Sequence, residues 1–301
     1  MMTATAPCHV EPSSGHAGNT APVERNRLLA ALPAAEYAML APHLEAVELA
    51  PQQVLAWPDE PIPYVYFERD GLGSIVVPME DGRSPNGAII GNEGILGLQA
   101  FLGEGVAREE LVQITAGQAV RVRIAAFREL VRQCDTLQIL IGRYTLALLT
   151  DIARSAGCNR VHSVEQRLAR TLSLMFERAG QKASLGVTHD VLAGMLGARR
   201  ASVTNAASKL AGAGLIDYRR GQLTVTDRTG LAFAACEDYR HSHDAVARMF
   251  GSDAVSGIRL QARHGPLDLT LSTAAYNSAA RGGPPPRPSQ ARGSGLAAIV
   301  R

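Results

Sequence analysis

Thr188-His-Asp-Val-Leu-Ala-Gly-Met-Leu-Gly-Ala-Arg-Arg-Ala-Ser-Val-Thr-Asn-Ala-Ala-Ser-Lys-Leu210 is the stretch on which the fold turns. Thr188 is a capping residue, the apolar positions behind it have helical spacing, Gly197 supplies a tight turn, and a second helix follows. This order predicts a helix-turn-helix. Val191, Leu192, Leu196, Val203, Ala206 and Leu210 are the expected small core. Arg199, Arg200, Ser202, Thr204, Asn205 and Lys209 are then left for a partner. Arg suits guanine O6 and N7, Asn suits adenine N6 and N7, and hydroxyls with helix-terminal amides suit phosphates.

Outward toward the C-terminus, Gly212 and Gly214 are stop signals, and residues 215–219 and 222–226 flank Arg220-Gly221 as a small hairpin or wing. Arg219 and Arg220 at its tip would face a DNA backbone. Toward the N-terminus, Ser163-Val-Glu-Gln166 is a capping box that opens a helix over residues 164–179. The break at 159–162 marks a domain boundary.

Residues 135–159 read as one long helix with two apolar stripes. Leu137, Ile141, Tyr144, Leu148 and Ile152 form one, and Ile139, Leu146, Leu149 and Ala153 the other. Two stripes need two surfaces: one can cover the β-domain and the other meet the same helix of a second chain, with Leu137, Ile141, Tyr144, Leu148 and Ile152 taken as the dimer-helix residues, or the helix is buried within one subunit. Before it, residues 28–41 have helical spacing. Short β-type runs follow at 46–49, 53–57, 64–68, 73–79, 87–90, 111–115 and 119–124. Breakers such as Pro58-Asp-Glu-Pro61, Asp70-Gly71 and Asp81-Gly82 separate them, as in an antiparallel barrel or sandwich. The predicted class is α+β: a tail at 1–22, a β-domain at 23–133, the long helix at 134–160, a winged helix-turn-helix at 161–250, and a second tail at 251–301.

Composition agrees with this division. The 301 residues are 46% hydrophobic and 19% charged, enough for two modest cores. The formal charge of +2 hides an asymmetry: residues 1–160 carry 12 basic and 18 acidic side chains, whereas residues 161–250 carry 12 and 8. A basic second half points to a polyanion partner. Cys8, Cys134, Cys158 and Cys236 are far apart with no C-x-x-C spacing, so no disulfide framework, zinc clip or other metal site is expected. Cys134 and Cys158 read as buried thiols, with thiol sensing as the alternative. Apolar runs are too short to span a membrane and no export signal is seen, so the expected location is cytoplasmic. No nucleophile, base and acid constellation points to an enzyme. Trp57, Tyr64, Tyr66 and Phe67 are expected to be barrel packing. His162 and His189 stand near helix starts, as hinge or phosphate-neighbouring residues.

Residues 24–240 resemble the Crp/Fnr family of bacterial transcription regulators. The likeness is carried by Gly91-Asn-Glu-Gly-Ile-Leu-Gly-Leu-Gln-Ala-Phe101, by Asn159-Arg-Val-His-Ser-Val-Glu-Gln-Arg-Leu-Ala-Arg170 and by residues 192–204. It implies a cyclic-nucleotide-binding-like β-roll, a dimerisation helix and a winged helix-turn-helix. The implied protein is a homodimer on a near-palindromic duplex DNA site, with Thr188 at a phosphate-contacting position and RNA polymerase as a further partner of an activator. The family's effector pocket maps onto Ile95, Leu96, Gly97, Arg108, Ile152 and Ala153. Ile95 stands where cyclic-nucleotide-binding members carry a ribose-binding Glu, Arg108 is displaced beside Glu109 and Glu110, and Ile152 and Ala153 replace hydroxyls. Cyclic AMP is therefore not expected. The cysteine set of an iron–sulfur sensor is missing, and no His lies between His43 and His162 to hold haem. No cofactor is expected, and the effector is left open. Two alternatives stand: a cyclic-nucleotide-responsive regulator using Arg108, and a small-molecule-binding β-barrel without DNA selectivity.

Overall fold

The alternating runs of the N-terminal half fold as β1 (Glu45–Leu49), β2 (Val54–Ala56), β3 (Tyr64–Glu68), β4 (Leu72–Val76), β5 (Asn86–Ile90), β6 (Glu110–Thr115) and β7 (Gly117–Arg123). All pair antiparallel, in two sheets ordered β1-β7-β3 and β2-β6-β4-β5. The computed structural model describes residues 24–80, 84–103, 105–180 and 182–251. The predicted tails, apart from Gly251, lie outside the described residues, as do Cys8 and the Asp81-Gly82 turn.

Period-two alternation sorts the side chains of the first sheet. Val65 and Phe67 of β3, paired with Val122 and Val120 of β7, face a helical layer. Tyr66 and Ala119 face the roll interior with Leu96, Leu111 and Ile90. The aromatic expectation holds for Tyr64, Tyr66 and Phe67, which pack into the roll and the core behind it, and needs correction at Trp57. Trp57 is 53% exposed, because it follows the last residue of the short edge strand β2. Tyr64 is half-buried beneath the guanidinium groups of Arg121 and Arg123, 4.2 and 5.2 Å from its ring. Strand pairing supplies the cations that are absent from its own strand.

The helical layer begins with α1 (Arg27–Ala30) and α2 (Ala34–Leu40), continued by a short 3-10 turn at Ala41–His43. The single helix expected over 28–41 is split at Pro33, which lacks an amide hydrogen and caps the second piece. Then come α3 (Gln99–Leu102), α4 (Ile124–Gln133) and the long α5 (Asp135–Val161). At 27 residues, α5 is about 40 Å long. Its first turn is held by Glu36 of α2, whose carboxylate accepts from the amides of Thr136 and Leu137 at 2.9 and 3.0 Å. Leu137, Ile141 and Tyr144, predicted for a dimer seam, are instead buried in this chain's own core with Phe127 and Val65. Leu148 packs partly against that core, and Ile152 is exposed. The second stripe is the open one: Ile139, Leu146 and Leu149 are 45%, 67% and 59% exposed.

The second half contains α6 (Val164–Arg178), β8 (Ser184–Gly186), α7 (His189–Leu196), α8 (Arg200–Gly212), β9 (Ile216–Arg219), β10 (Gln222–Val225), α9 (Arg228–Ala234) and α10 (Asp238–Phe250). The capping box is present: the Ser163 hydroxyl accepts from Gln166 N–H, and Gln166 Oε1 accepts from Ser163 N–H. Leu168, Leu172 and Met175 of α6 pack on Leu192, Leu196, Val203 and Leu210, and Leu72 and Ile114 of the roll join the same core. Helix α10 runs back along α5, and its Val246 and Met249 enter the core of the β-domain. No described helix is long and apolar enough to cross a membrane.

Candidate nucleic-acid interface

Gly197 adopts φ +54, the left-handed conformation that glycine enters without steric penalty, and this reverses the chain between α7 and α8. Thr188 caps α7, its hydroxyl accepting from Val191 N–H at 3.3 Å. Buried Val203, Ala206, Ala207 and Leu210 fix the inner face of α8. Arg200, Asn205 and Lys209 therefore stand exposed, with Arg199 at the N-cap and Ala201 and Ser208 beside them. Ser202 and Thr204 are half-buried. Thr204 is turned toward α7, its hydroxyl 3.0 Å from His189 Nδ1. The His189 ring stacks on Tyr218 at 4.5 Å, and burial together with the Arg200 charge holds its pKa below the usual imidazole value. Lys209 pairs with Glu165 of α6 at 3.1 Å and lies about 13 Å along the helix from Arg200.

The arginines of this face and of the wing are lightly held. Arg200 meets Asp190 at 3.3 Å with both side chains about two-thirds exposed (68% and 64%). Arg219 meets Asp217 at 3.0 Å and is 83% exposed. Such solvated pairs are worth about 0–1 kcal/mol and exchange readily for another anion. The hairpin turn sits between β9 and β10, with φ +51 at Arg220 and +78 at Gly221, the mirror-image geometry that two-residue hairpins prefer. Strand β8 pairs with β10 and completes a three-stranded wing sheet.

The residues mapped as an effector pocket do not converge in this chain. Ile95 and Leu96 are fully buried, in two different cores. Gly97 turns the loop at φ +87. Arg108 is 65% exposed and pairs with Asp59 at 3.5 Å. Ile152 and Ala153 are exposed on α5, two turns past the residue that does meet the loop. That residue is Tyr144, whose hydroxyl donates to the Ile95 carbonyl at 3.3 Å. A cleft of about 230 Å³ touches Ile152, but it lies among β5, α5, α6 and α7 with Arg167, Arg170 and Met195.

Beside that cleft is a buried ionic network that spacing did not reveal. Asp151 of α5 accepts from Arg170 at 2.7 Å, from Ser242 Oγ at 2.6 Å, and from Arg178 at 3.3 and 3.4 Å. Arg178 also donates to the Ile89 carbonyl at 2.6 Å and stands 3.5 Å from Glu93. Burial by itself would raise the Asp151 pKa, but Arg178, Arg170 and the Ser242 bond together hold it below the usual carboxylate range. One hint existed in the sequence: an aspartate four residues beyond Ala147, on the otherwise apolar buried side of the helix. Cys134 and Cys158 are buried thiols, as the sequence led us to expect. Separation along the chain did not keep the thiols apart: Cys158 and Cys236 meet at 3.4 Å, beside His162 and Asp238. Burial and the Cys236 thiol push Cys158 up to about 12, so as a free thiol it is a poor nucleophile.

Residues 166–233 match the family model described as a Crp-like helix-turn-helix domain. No curated protein matches the chain in sequence. Among solved structures, FixK2 from Bradyrhizobium japonicum is similar at 18% identity and TM-score 0.56, over 64% of this chain and 98% of that one. CLP from Xanthomonas campestris, described as a c-di-GMP-responsive global regulator, is similar at 20% identity and TM-score 0.51, over 64% of this chain and 99% of that one. A Crp/Fnr family transcriptional regulator from Thermus thermophilus is similar at 22% identity and TM-score 0.51, over 64% of this chain and 98% of that one. The chain thus has the fold of the Crp/Fnr family regulators and carries, over residues 166–233, a Crp-like helix-turn-helix domain.

Proposed function

We propose that the chain is a sequence-specific, DNA-binding transcription regulator that acts in the cytoplasm as a homodimer on a near-palindromic duplex site. The observation that carries this reading is the exposed face of α8. Arg200 and Asn205 are presented there with only a solvated ion pair to displace, while the opposite face is locked by Val203, Ala206 and Leu210. Thr188, Arg199, Ser202, Lys209, Arg219 and Arg220 surround that face as backbone contacts. Thr204 serves through His189, which it positions. Dimerisation uses the exposed α5 stripe of Ile139, Leu146 and Leu149. The reading needs neither cyclic AMP nor an iron–sulfur cluster, since Ile95 fills the core where a ribose-binding carboxylate would stand.

Selection of bound sequences from a random duplex library, with and without cyclic AMP, tests it. Enrichment of a two-fold site without the nucleotide is expected, with half-sites about one helical turn apart. Enrichment only with cyclic AMP would overturn effector independence. In the same assay Arg200→Ala is expected to cost roughly 1–3 kcal/mol and to relax preference at one base pair. Arg219→Ala should weaken all duplexes alike and lower the slope of affinity against salt by about one counterion. Equal losses on specific and random DNA for Arg200→Ala would remove its base-reading role.

A further inference from the structure

Cys158 and His162 lie on the last turn and cap of α5, Cys236 follows α9, and Asp238 opens α10. The fold brings one ligating atom from each to within 4.8 Å of the others. The Cys158 and Cys236 sulfurs are 3.4 Å apart, Cys236 Sγ is 3.9 Å from Asp238 Oδ2, and that oxygen is 3.6 Å from His162 Nδ1. A tetrahedral ion bonded at about 2.0–2.3 Å to oxygen, nitrogen and sulfur spaces its ligand atoms roughly 3.3–3.8 Å apart. These three separations agree with that spacing to within a few tenths of an ångström, and the other pairs lie within 4.8 Å, so the ligands would draw together slightly on binding.

The surroundings match the same chemistry. His162 Nε2 is 3.3 Å from Glu237 Oε2, an acceptor placed to hold a ring proton on that nitrogen and leave Nδ1 free to ligate beside Asp238. Nδ1 is buried and has no hydrogen-bond partner. With the ring proton on Nε2, a lone pair faces the Asp238 carboxylate, an arrangement relieved by a proton on Nδ1 or by a cation between the two atoms. Asp238 Oδ1, the oxygen turned away, is 3.4 Å from Arg154. Two thiolates and a carboxylate around a dication leave a negative charge, and the buried Arg167 has both cysteines as its charge neighbours. Thiolate donors select zinc and similar soft dications over magnesium or calcium.

We propose that Cys158, His162, Cys236 and Asp238 bind a thiophilic divalent cation of the zinc type. The ion would join the end of α5, at the junction with α6, to the start of α10. Metal uptake is measured without DNA, so this site and the DNA-binding reading fail or stand separately.

The test is titration of the full, reduced, chelator-stripped chain with cobalt(II), then zinc(II). Expected are about one cobalt per chain, a thiolate-to-cobalt charge-transfer band with tetrahedral ligand-field bands, and bleaching of both by zinc. Cys158→Ser should remove much of the charge-transfer intensity. Glu237→Ala changes an exposed side chain and leaves the core intact, so it decides the matter even if the cysteine variant does not fold. Loss of its orienting bond to His162 should weaken metal binding about tenfold. Cobalt binding without a thiolate band, full-strength binding in Cys158→Ser, or unchanged affinity in Glu237→Ala would each overturn the proposal. So would isolation of the pair as a disulfide that, once reduced, takes up no metal.

Discussion

Asp151→Asn is expected to destabilise the protein by about 3–5 kcal/mol, measured by denaturant unfolding near neutral pH. The substitution keeps the shape and removes the charge, leaving Arg170 and Arg178, 7% and 6% exposed, without their shared anion. A buried cation stripped of its partner costs far more than the pair itself contributes. Glu45→Gln is the contrast: it breaks the 2.8 Å pair with Arg121, but the Glu45 side chain is 55% exposed, so a far smaller loss is expected. Equal small losses in both variants would mean that water reaches the Asp151 cluster.

The pH dependence has a definite sign. Asp151 is held below its unfolded value, so its contribution is complete above the usual carboxylate range and is lost as pH falls through the lowered folded value. The Asn variant should lack that part of the acid slope. Because Arg178 also binds the Ile89 carbonyl and faces Glu93, the same change loosens α6 from the loop at the end of β5. Faster amide exchange around Gly91–Glu93 is the local signature.

The second large effect concerns self-association. Leu146→Glu combined with Leu149→Glu is expected to convert a dimer into a monomer, read by sedimentation equilibrium. These side chains are 67% and 59% exposed in the single chain, and Glu is as good a helix former as Leu, so the fold of the chain should be unaffected. Four leucines withdrawn from a seam, at roughly 1.5–3 kcal/mol each, correspond to a rise of more than about four orders of magnitude in the dimer Kd. Affinity for a two-fold DNA site should fall with it, while binding to a single half-site is retained. An unchanged mass would place the interface elsewhere and sink the α5 seam.

Local pattern carried the reading a long way in particular places. Alternation and turn residues located all seven strands of the roll, Ser163 and Gln166 located the start of α6, and Gly197 with Arg220-Gly221 located the turn and the wing. These features depend on residues a few positions apart, which meet whatever the rest of the chain does. Helix α4 escaped the pattern although Phe127, Leu130 and Val131 share a face, because the strand reading absorbs Ile124 at its start. Periodicity also showed that α5 has two apolar stripes. It did not show which one this chain covers.

Contacts between distant segments were a different matter. Glu36 caps a helix that begins 99 residues later, Ser242 closes the Asp151 cluster across 91 residues, and Cys236 meets Cys158 across 78. Each depends on how preformed elements dock, and docking is decided by the summed shape and burial of whole faces. Spacing along the chain specifies which side chains share a face. Only packing in three dimensions decides which faces meet, and with them the buried charges and the thiols.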